Sequence, residues 1–239
     1  MLEREYWKWR WKILNRLAFL LGVLRFFPAL RHTVVTPHTN LLIEGYPRSG
    51  NTFARNAFLL ACDNRFTVTS HLHLIASVRR AIRLNKPVLI LIRDPIDAVA
   101  SYCVYRGRRF PAKQGLVEYV QFYRFVLENK PHLVVATFTE VTEAFGQVIA
   151  NVNRRFGTRF PTFDHTPENV RCCMDTTHEQ QSPWLADRRN WTTVRNVSRP
   201  ASGRDLLKQA AKNELMDIDC RELLEEAQRL YNMLKDPDV

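Results

Sequence analysis

Three short stretches of this chain carry residue types that bind anions or move protons. The first is Gly45-Tyr46-Pro47-Arg48-Ser49-Gly50-Asn51-Thr52-Phe53. Gly45, Gly50 and Thr52 stand where a phosphate-binding loop, G-x-x-x-x-G-K-[ST], has its glycines and its hydroxyl. A turn of this kind between a buried strand and a helix presents several backbone N–H groups to an anion. Asn51 replaces the lysine that reaches the β- and γ-phosphates, which argues against a working ATPase or GTPase. A cation stands inside the loop instead, at Arg48. These residues call for a phosphate-like ligand at the helix N-terminus, with Arg48 bridging to a second anionic group.

The second stretch runs from Arg93 through Asp94-Pro95 to Ser101. Arg93 leaves the C-terminal end of a central strand, the edge where open α/β sheets bind ligands. Ser101 lies about seven residues into the following helix, roughly 10 Å along its axis. The two meet only at a group docked against the side of that helix; taken alone, Arg93 equally suits a pairing with Asp94 or Asp97. The third stretch is Thr69-Ser70-His71-Leu72-His73. His71 or His73 has the right titration range for a general base, although a histidine at a strand end also suits a plain hydrogen-bonded position.

The elements that must position these residues alternate between strand and helix. Apolar runs at 41–44 and 88–92 read as strands, as does 132–138, with a weaker one at 66–70. Helices are expected at 51–61, 74–84, 94–105, 116–127, 142–156 and 204–234, with 160–199 mostly loop. Asp94 suits an N-cap with Pro95 at N1, and Gly157 suits a helix end. Unbroken aliphatic runs suit strands buried on both faces. The fold class expected is α/β, a three-layer arrangement with a mainly parallel sheet flanked by helices.

The 239 residues carry a formal net charge of +11, and 46% of them are hydrophobic. That composition excludes a mainly disordered chain, a collagen-like chain and a disulfide scaffold. From Glu214 onward eight acids face three bases, so residues 1–213 carry +16. Such a body attracts polyanions. The five cysteines are odd in number and lack C-x-x-C spacing, which argues against a disulfide framework and a zinc site. Free thiols and a cytoplasmic location are expected.

Two units are expected: a basic amphipathic segment over 1–36 and a single domain over 37–239. Residues 1–31 place Arg4, Lys8, Lys12 and Arg16 four apart, with Trp7, Trp11 and Leu14 on another helical face. The segment suits peripheral contact with an anionic membrane or packing against the domain's own core. The apolar run at 17–24 is too short to span a bilayer.

Together the three stretches resemble the sulfotransferases that use 3′-phosphoadenosine 5′-phosphosulfate (PAPS). Tyr46 to Thr52 is similar to their 5′-phosphosulfate loop, Y-P-[KR]-S-G-[TN]-T. Arg93 to Ser101 is similar to R-[DN]-x-x-[DE]-x-x-x-S, which holds the 3′-phosphate, and His71 is similar to the catalytic histidine of cytosolic members. Phe138-Thr139-Glu140-Val141 resembles the family's Y-E-D-L, with Thr139 in place of its tyrosine. The matched positions run over about 41–156. Thr69 replaces the lysine two residues before the family's histidine, and Arg199 to Arg204 is only a loose echo of a C-terminal R-K-G-x-x-G.

The resemblance implies a P-loop-like sulfotransferase fold and metal-independent, in-line transfer of a sulfuryl group from PAPS to a hydroxyl or amine. It implies that Arg48, Ser49, Gly50, Asn51, Thr52 and Phe53 hold the 5′-phosphosulfate and that Arg93 and Ser101 hold the 3′-phosphate. Arg48 and His71 would be catalytic, with His73, Glu44 and Glu140 as further candidate bases. The expected partners are PAPS and a hydroxyl acceptor (small molecule, glycan or lipid), with no metal and no nucleic acid. Arg106, Arg108, Arg109, Arg188 and Arg189 suit an acidic or polyhydroxylated acceptor, or simply a solvated surface. The alternatives are a P-loop nucleotide kinase or NTPase, and a non-catalytic polyanion- or membrane-binding protein on the same scaffold.

Overall fold

Val88–Ile92 (β3) forms a central strand of the sheet, and its side chains alternate between two cores. Val88, Ile90 and Ile92 enter one, Leu89 and Leu91 the other, and all five are fully buried. A strand sandwiched in this way needs no polar face, which explains the unbroken aliphatic run. The computed structural model describes residues 33–107, 110–175 and 205–236. Residues 1–32, Arg108, Arg109, Arg188, Arg189 and the stretch from Arg199 to Arg204 lie outside the described residues. So do the expectations made for them.

Leu41–Gly45 (β1) pairs in parallel with β3 on one side and with Val68–Ser70 (β2) on the other. Val134–Thr137 (β4) pairs in parallel with the far side of β3. The four-stranded order is β2-β1-β3-β4, all parallel, so the α/β class with a helix-flanked parallel sheet is observed. Asn51–Ala61 (α1) follows β1, Ile75–Arg83 (α2) follows β2, and Pro95–Arg106 (α3) follows β3. Ala112–Glu128 (α4) then leads through a 3₁₀ turn at Lys130–His132 into β4. Phe138–Glu143 (α5) and Phe145–Phe156 (α6) come next, residues 167–175 form α7, and Asp205–Leu215 (α8) and Arg221–Lys235 (α9) end the described chain. Phe58 of α1 and Phe145 and Ile149 of α6 pack on Leu41, Ile43 and Leu91. Val99 of α3, Leu116 and Phe122 of α4, Leu215 of α8 and Leu230 of α9 pack on the opposite face.

Several boundaries depart from the sequence reading. β2 begins at Val68, not at residue 66, because the Thr67 N–H is taken by the Asn40 side chain. The helix expected at 142–156 is two helices. Thr137 accepts from the Glu140 N–H while the Glu140 carboxylate accepts from the Thr137 N–H, and this capping box starts α5 at Phe138. Ala144, at φ −144° and ψ 40°, then separates α5 from α6. The helix expected at 204–234 also divides, because Asp217 is extended and Ile218–Cys220 forms a 3₁₀ turn. Helix α4 starts four residues earlier than expected, behind Pro111. Asp94 caps α3 by accepting from the Asp97 N–H, as its position suggested. The five cysteines are free thiols, and no described helix is long and apolar enough to cross a membrane.

Candidate functional site

The turn from β1 into α1 is wedged against the backbone of β3. A Cβ on Gly45 would stand 2.3 Å from the Leu91 carbonyl oxygen, so only glycine permits this approach. The Tyr123 hydroxyl locks the same place. It donates to the Leu91 carbonyl at 2.7 Å and accepts from the Tyr46 N–H at 3.2 Å. Tyr46, fully buried, packs edge-on against Tyr102 and Tyr119. Ser49 is also buried, and its N–H turns back to the Tyr46 carbonyl. Asn51 donates from Nδ2 to that carbonyl as well, while its buried Oδ1 has no hydrogen-bond partner among the described residues.

These contacts leave α1 starting after Gly50, its N-cap at φ +95°, and among the described residues no side chain caps its first turn. The first N–H groups of a helix have no partner within it and carry the positive end of its dipole. Glycine tolerates that φ and keeps the Phe138 ring 3.4 Å from where a Cβ would stand. Of the residues expected to cradle a phosphate, Asn51, Thr52 and Phe53 therefore occupy the open first turn. Ser49 faces inward, with its N–H already engaged.

Arg48 lies in the left-handed region, at φ 73°, an uncommon conformation for a residue with a Cβ. Contacts from the second motif help hold it there. Its Nε donates to the Ser101 hydroxyl at 3.0 Å, and its carbonyl accepts from Arg93 Nη1 at 3.2 Å. The two sequence motifs thus meet through Arg48. The Arg93 guanidinium lies 4.1 Å over the Phe138 ring and 4.0 Å from Asp97, and the Arg93 carbonyl accepts from the Tyr119 hydroxyl. Burial lowers the Arg93 pKa, with Asp97 and Asp94 acting in the opposite sense.

At the exit of β2, His71 and His73 are both left-handed, at φ 73° and 54°. Glu44, fully buried at the end of β1, accepts the N–H groups of Leu72 at 2.9 Å and His73 at 3.0 Å and pins the turn. His71 Nε2 stands 3.1 Å from Thr52 Oγ1 in the first turn of α1, and its Nδ1 is bonded to the Ser70 hydroxyl. His73 Nδ1 is 2.8 Å from the Gly45 carbonyl oxygen, which calls for the Nδ1–H tautomer. Burial pushes the Glu44 carboxyl up to about 8 against the backbone N–H groups that favour its charge. Burial also lowers His73 to about 4, and the nearby Arg48 charge acts in the same sense. Glu140 is committed to its capping box.

Arg48, Ser101 and Arg93 are thus drawn together, and His71 joins Thr52 on the other side of the loop. Sequence reading missed Tyr123 and Lys208, and marked Phe138 only as part of the stretch 138–141 that resembles a family motif. Burial lowers the pKa of Lys208, on α8, with the charges of Arg93 and Arg48 acting in the same sense and Asp97 and Asp205 in the opposite one. Nothing in the local sequence marks that lysine. Among the described residues no group of three or more His, Cys, Asp or Glu could hold a metal ion.

No family model matches this chain, and no curated protein matches it. Among solved structures it is similar to mouse sulfotransferase SULT7A1 complexed with PAP, at 14% identity and a TM-score of 0.40, over 87% of this chain and 92% of that one. So remote a likeness carries no functional argument.

Proposed function

We propose that this chain is a sulfotransferase that moves a sulfuryl group from PAPS to a hydroxyl or amine acceptor. The observation that carries the reading is the Arg48 junction. The arginine inside the loop bonds Ser101 through its side chain and Arg93 through its carbonyl. Two motifs 45 positions apart are thereby joined beside a helix N-terminus that no described side chain caps. A donor with phosphates at both ends of a ribose has the matching charge distribution.

In this reading the 5′-phosphate sits on the N–H groups of Asn51, Thr52 and Phe53, and the 3′-phosphate sits against Arg93 and Ser101. The acceptor oxygen attacks sulfur in line. The new S–O bond forms as the bond to the 5′-phosphate oxygen breaks, and adenosine 3′,5′-bisphosphate leaves. Arg48 neutralises the charge gathering on that bridging oxygen, and donors aimed at developing charge are the strongest source of catalysis. His71 takes the acceptor's proton at Nε2. The Thr52 hydroxyl turns from His71 to the 5′-phosphate when the donor binds, which makes that nitrogen available.

The decisive experiment incubates the full chain with ³⁵S-labelled donor and a panel of phenols, amines, sugars and lipid alcohols. Label in any acceptor supports the reading. Absence of binding to adenosine 3′,5′-bisphosphate, together with no transfer, refutes it.

A further inference from the structure

We propose that Ser70 is a positioning residue for the transfer. Its hydroxyl accepts a hydrogen bond from His71 Nδ1–H and so keeps Nε2, the nitrogen beside the donor loop, ready to take a proton. This inference rests on the sulfuryl-transfer reading above, with His71 as its base.

Successive side chains of a strand point to opposite faces of the sheet, so neighbours within a strand do not bond each other through their side chains. Ser70 is the last residue of β2, paired with Ile43 of β1, and it is buried. His71 follows it but has left the strand, at φ 73°. That turn brings the imidazole back to Ser70, with Nδ1 and Oγ 2.5 Å apart. A left-handed residue with a Cβ persists only where its surroundings enforce it. Glu44 supplies the enforcement, because its side-chain oxygens take the N–H groups of Leu72 and His73. The contact between Ser70 and His71 is thus built by the pinned turn and not by adjacency alone.

A neutral imidazole has one N–H and one acceptor nitrogen, and the partner of either nitrogen decides the state of the other. His71 Nε2 lies 3.1 Å from Thr52 Oγ1. Proton removal at Nε2 requires the ring proton on Nδ1, where Ser70 Oγ accepts it, with the Thr52 hydroxyl donating to Nε2. Once Nε2 has taken the acceptor's proton, both nitrogens carry hydrogen and Ser70 still accepts from Nδ1. A serine hydroxyl therefore serves the ring before and after the proton moves. His71 is exposed, so close packing does not fix its ring, and the bonds at its two nitrogens matter accordingly. The His73 ring, 6.0 Å away, has its own Nδ1 engaged with the Gly45 carbonyl.

The test combines nitrogen NMR with kinetics on the full chain and its Ser70→Ala and Ser70→Thr variants, each checked for folding by far-UV circular dichroism. Long-range ¹H–¹⁵N spectra of the imidazoles report which ring nitrogen carries the proton, and the signals missing from His71→Gln identify His71 among the seven histidines. In the wild type the neutral ring should carry its proton on Nδ1, and in Ser70→Ala that proton should shift toward Nε2. With PAPS and the panel acceptor that the wild type labels fastest, Ser70→Ala should lower kcat about tenfold, the scale of one lost hydrogen bond. The KM for PAPS and the affinity for adenosine 3′,5′-bisphosphate should change less than about twofold, and Ser70→Thr should keep most of the rate. A proton on Nε2 in the wild type, or an unchanged tautomer or kcat in Ser70→Ala, overturns the role of Ser70 alone. So does a loss of nucleotide affinity that matches the loss of rate, since Ser70 would then merely support the loop. A wild type that labels no acceptor removes the transfer reading itself, and this inference with it.

Discussion

Arg48 Nε donates to the Ser101 hydroxyl at 3.0 Å, joining the loop after β1 to the second turn of α3. The bond matters because Arg48 is held left-handed, at φ 73°. Such strain, of order 1–3 kcal/mol, persists only where surrounding contacts enforce it. Here the second enforcing contact is the bond from Arg93 to the Arg48 carbonyl. The guanidinium is thus held by α3, through Ser101 and the Tyr105 ring, while Arg93 holds the backbone of its own loop.

Arg48→Ala should lower kcat for sulfuryl transfer by about two orders of magnitude or more, the usual scale for one lost transition-state donor. Ser101→Ala should cost less, because it frees the guanidinium without removing it. Steady-state rates at saturating donor decide the matter, and unchanged turnover in Arg48→Ala removes it from the mechanism.

Arg93→Ala should weaken binding of adenosine 3′,5′-bisphosphate by about 10- to 100-fold, the range for hydrogen bonds to a charged group. Adenosine 5′-monophosphate should be affected far less. A similar loss for both nucleotides would mean that Arg93 acts mainly by holding the Arg48 carbonyl.

His71→Ala should abolish transfer while leaving nucleotide affinity nearly intact. His73→Ala should act on stability instead, since it removes the bond to the Gly45 carbonyl. Transfer assays and thermal melts on both variants separate the two effects. A stable, inactive His73→Ala beside an active His71→Ala would move the base to His73.

Glu44 sets a pH dependence of stability with a definite sign. Its carboxyl keeps a proton up to about pH 8 in the fold, against an ordinary value of 4.5. Its contribution is complete below 4.5 and is lost as pH rises toward 8, because the unfolded chain ionises first. His73 acts oppositely: lowered from 6.5 to about 4, its contribution is complete above 6.5 and is lost as pH falls toward 4. Between pH 6.5 and 8 Glu44 dominates this pair, so stability should fall as pH rises, and Glu44→Gln should flatten the decline. Urea unfolding at both pH values checks it; equal slopes in the two proteins would exclude Glu44 as the source.

Gly45→Ala places a Cβ 2.3 Å from the Leu91 carbonyl oxygen, where neither backbone yields easily. Overpacking of this kind costs about 1–3 kcal/mol, occasionally more. The melting temperature should drop by at least several degrees. An unchanged melting curve would show that β1 and β3 can separate locally at that point.

Much of the scaffold could be read from one dimension. The run 88–92 is apolar at every position because both of its faces are buried. Asn51–Ala61 was expected to the residue, and in the structure left-handed Gly50 and Asp63-Asn64 bracket it. Boundaries failed where a side chain took a backbone partner, as Asn40 does with Thr67 and Glu140 with Thr137. Such bonds leave no periodic trace. In the site, Arg48 stood out within its loop, Arg93, Ser101 and His71 were chosen only by the resemblance, and the inward turn of Ser49 was marked by neither.

The order of residues by itself determined the strand–helix alternation and the places where glycine, arginine and histidine fall at strand ends, because these follow from local propensity and short spacing. Only the tertiary structure decided that Arg48 bonds Ser101, that Tyr123 locks the loop to β3, and that a lysine more than a hundred residues from Arg93 shares its electrostatic environment. Those relations depend on how α3, α4 and α8 pack over the sheet. Packing is set by the fit of whole apolar faces, which no local stretch of sequence contains.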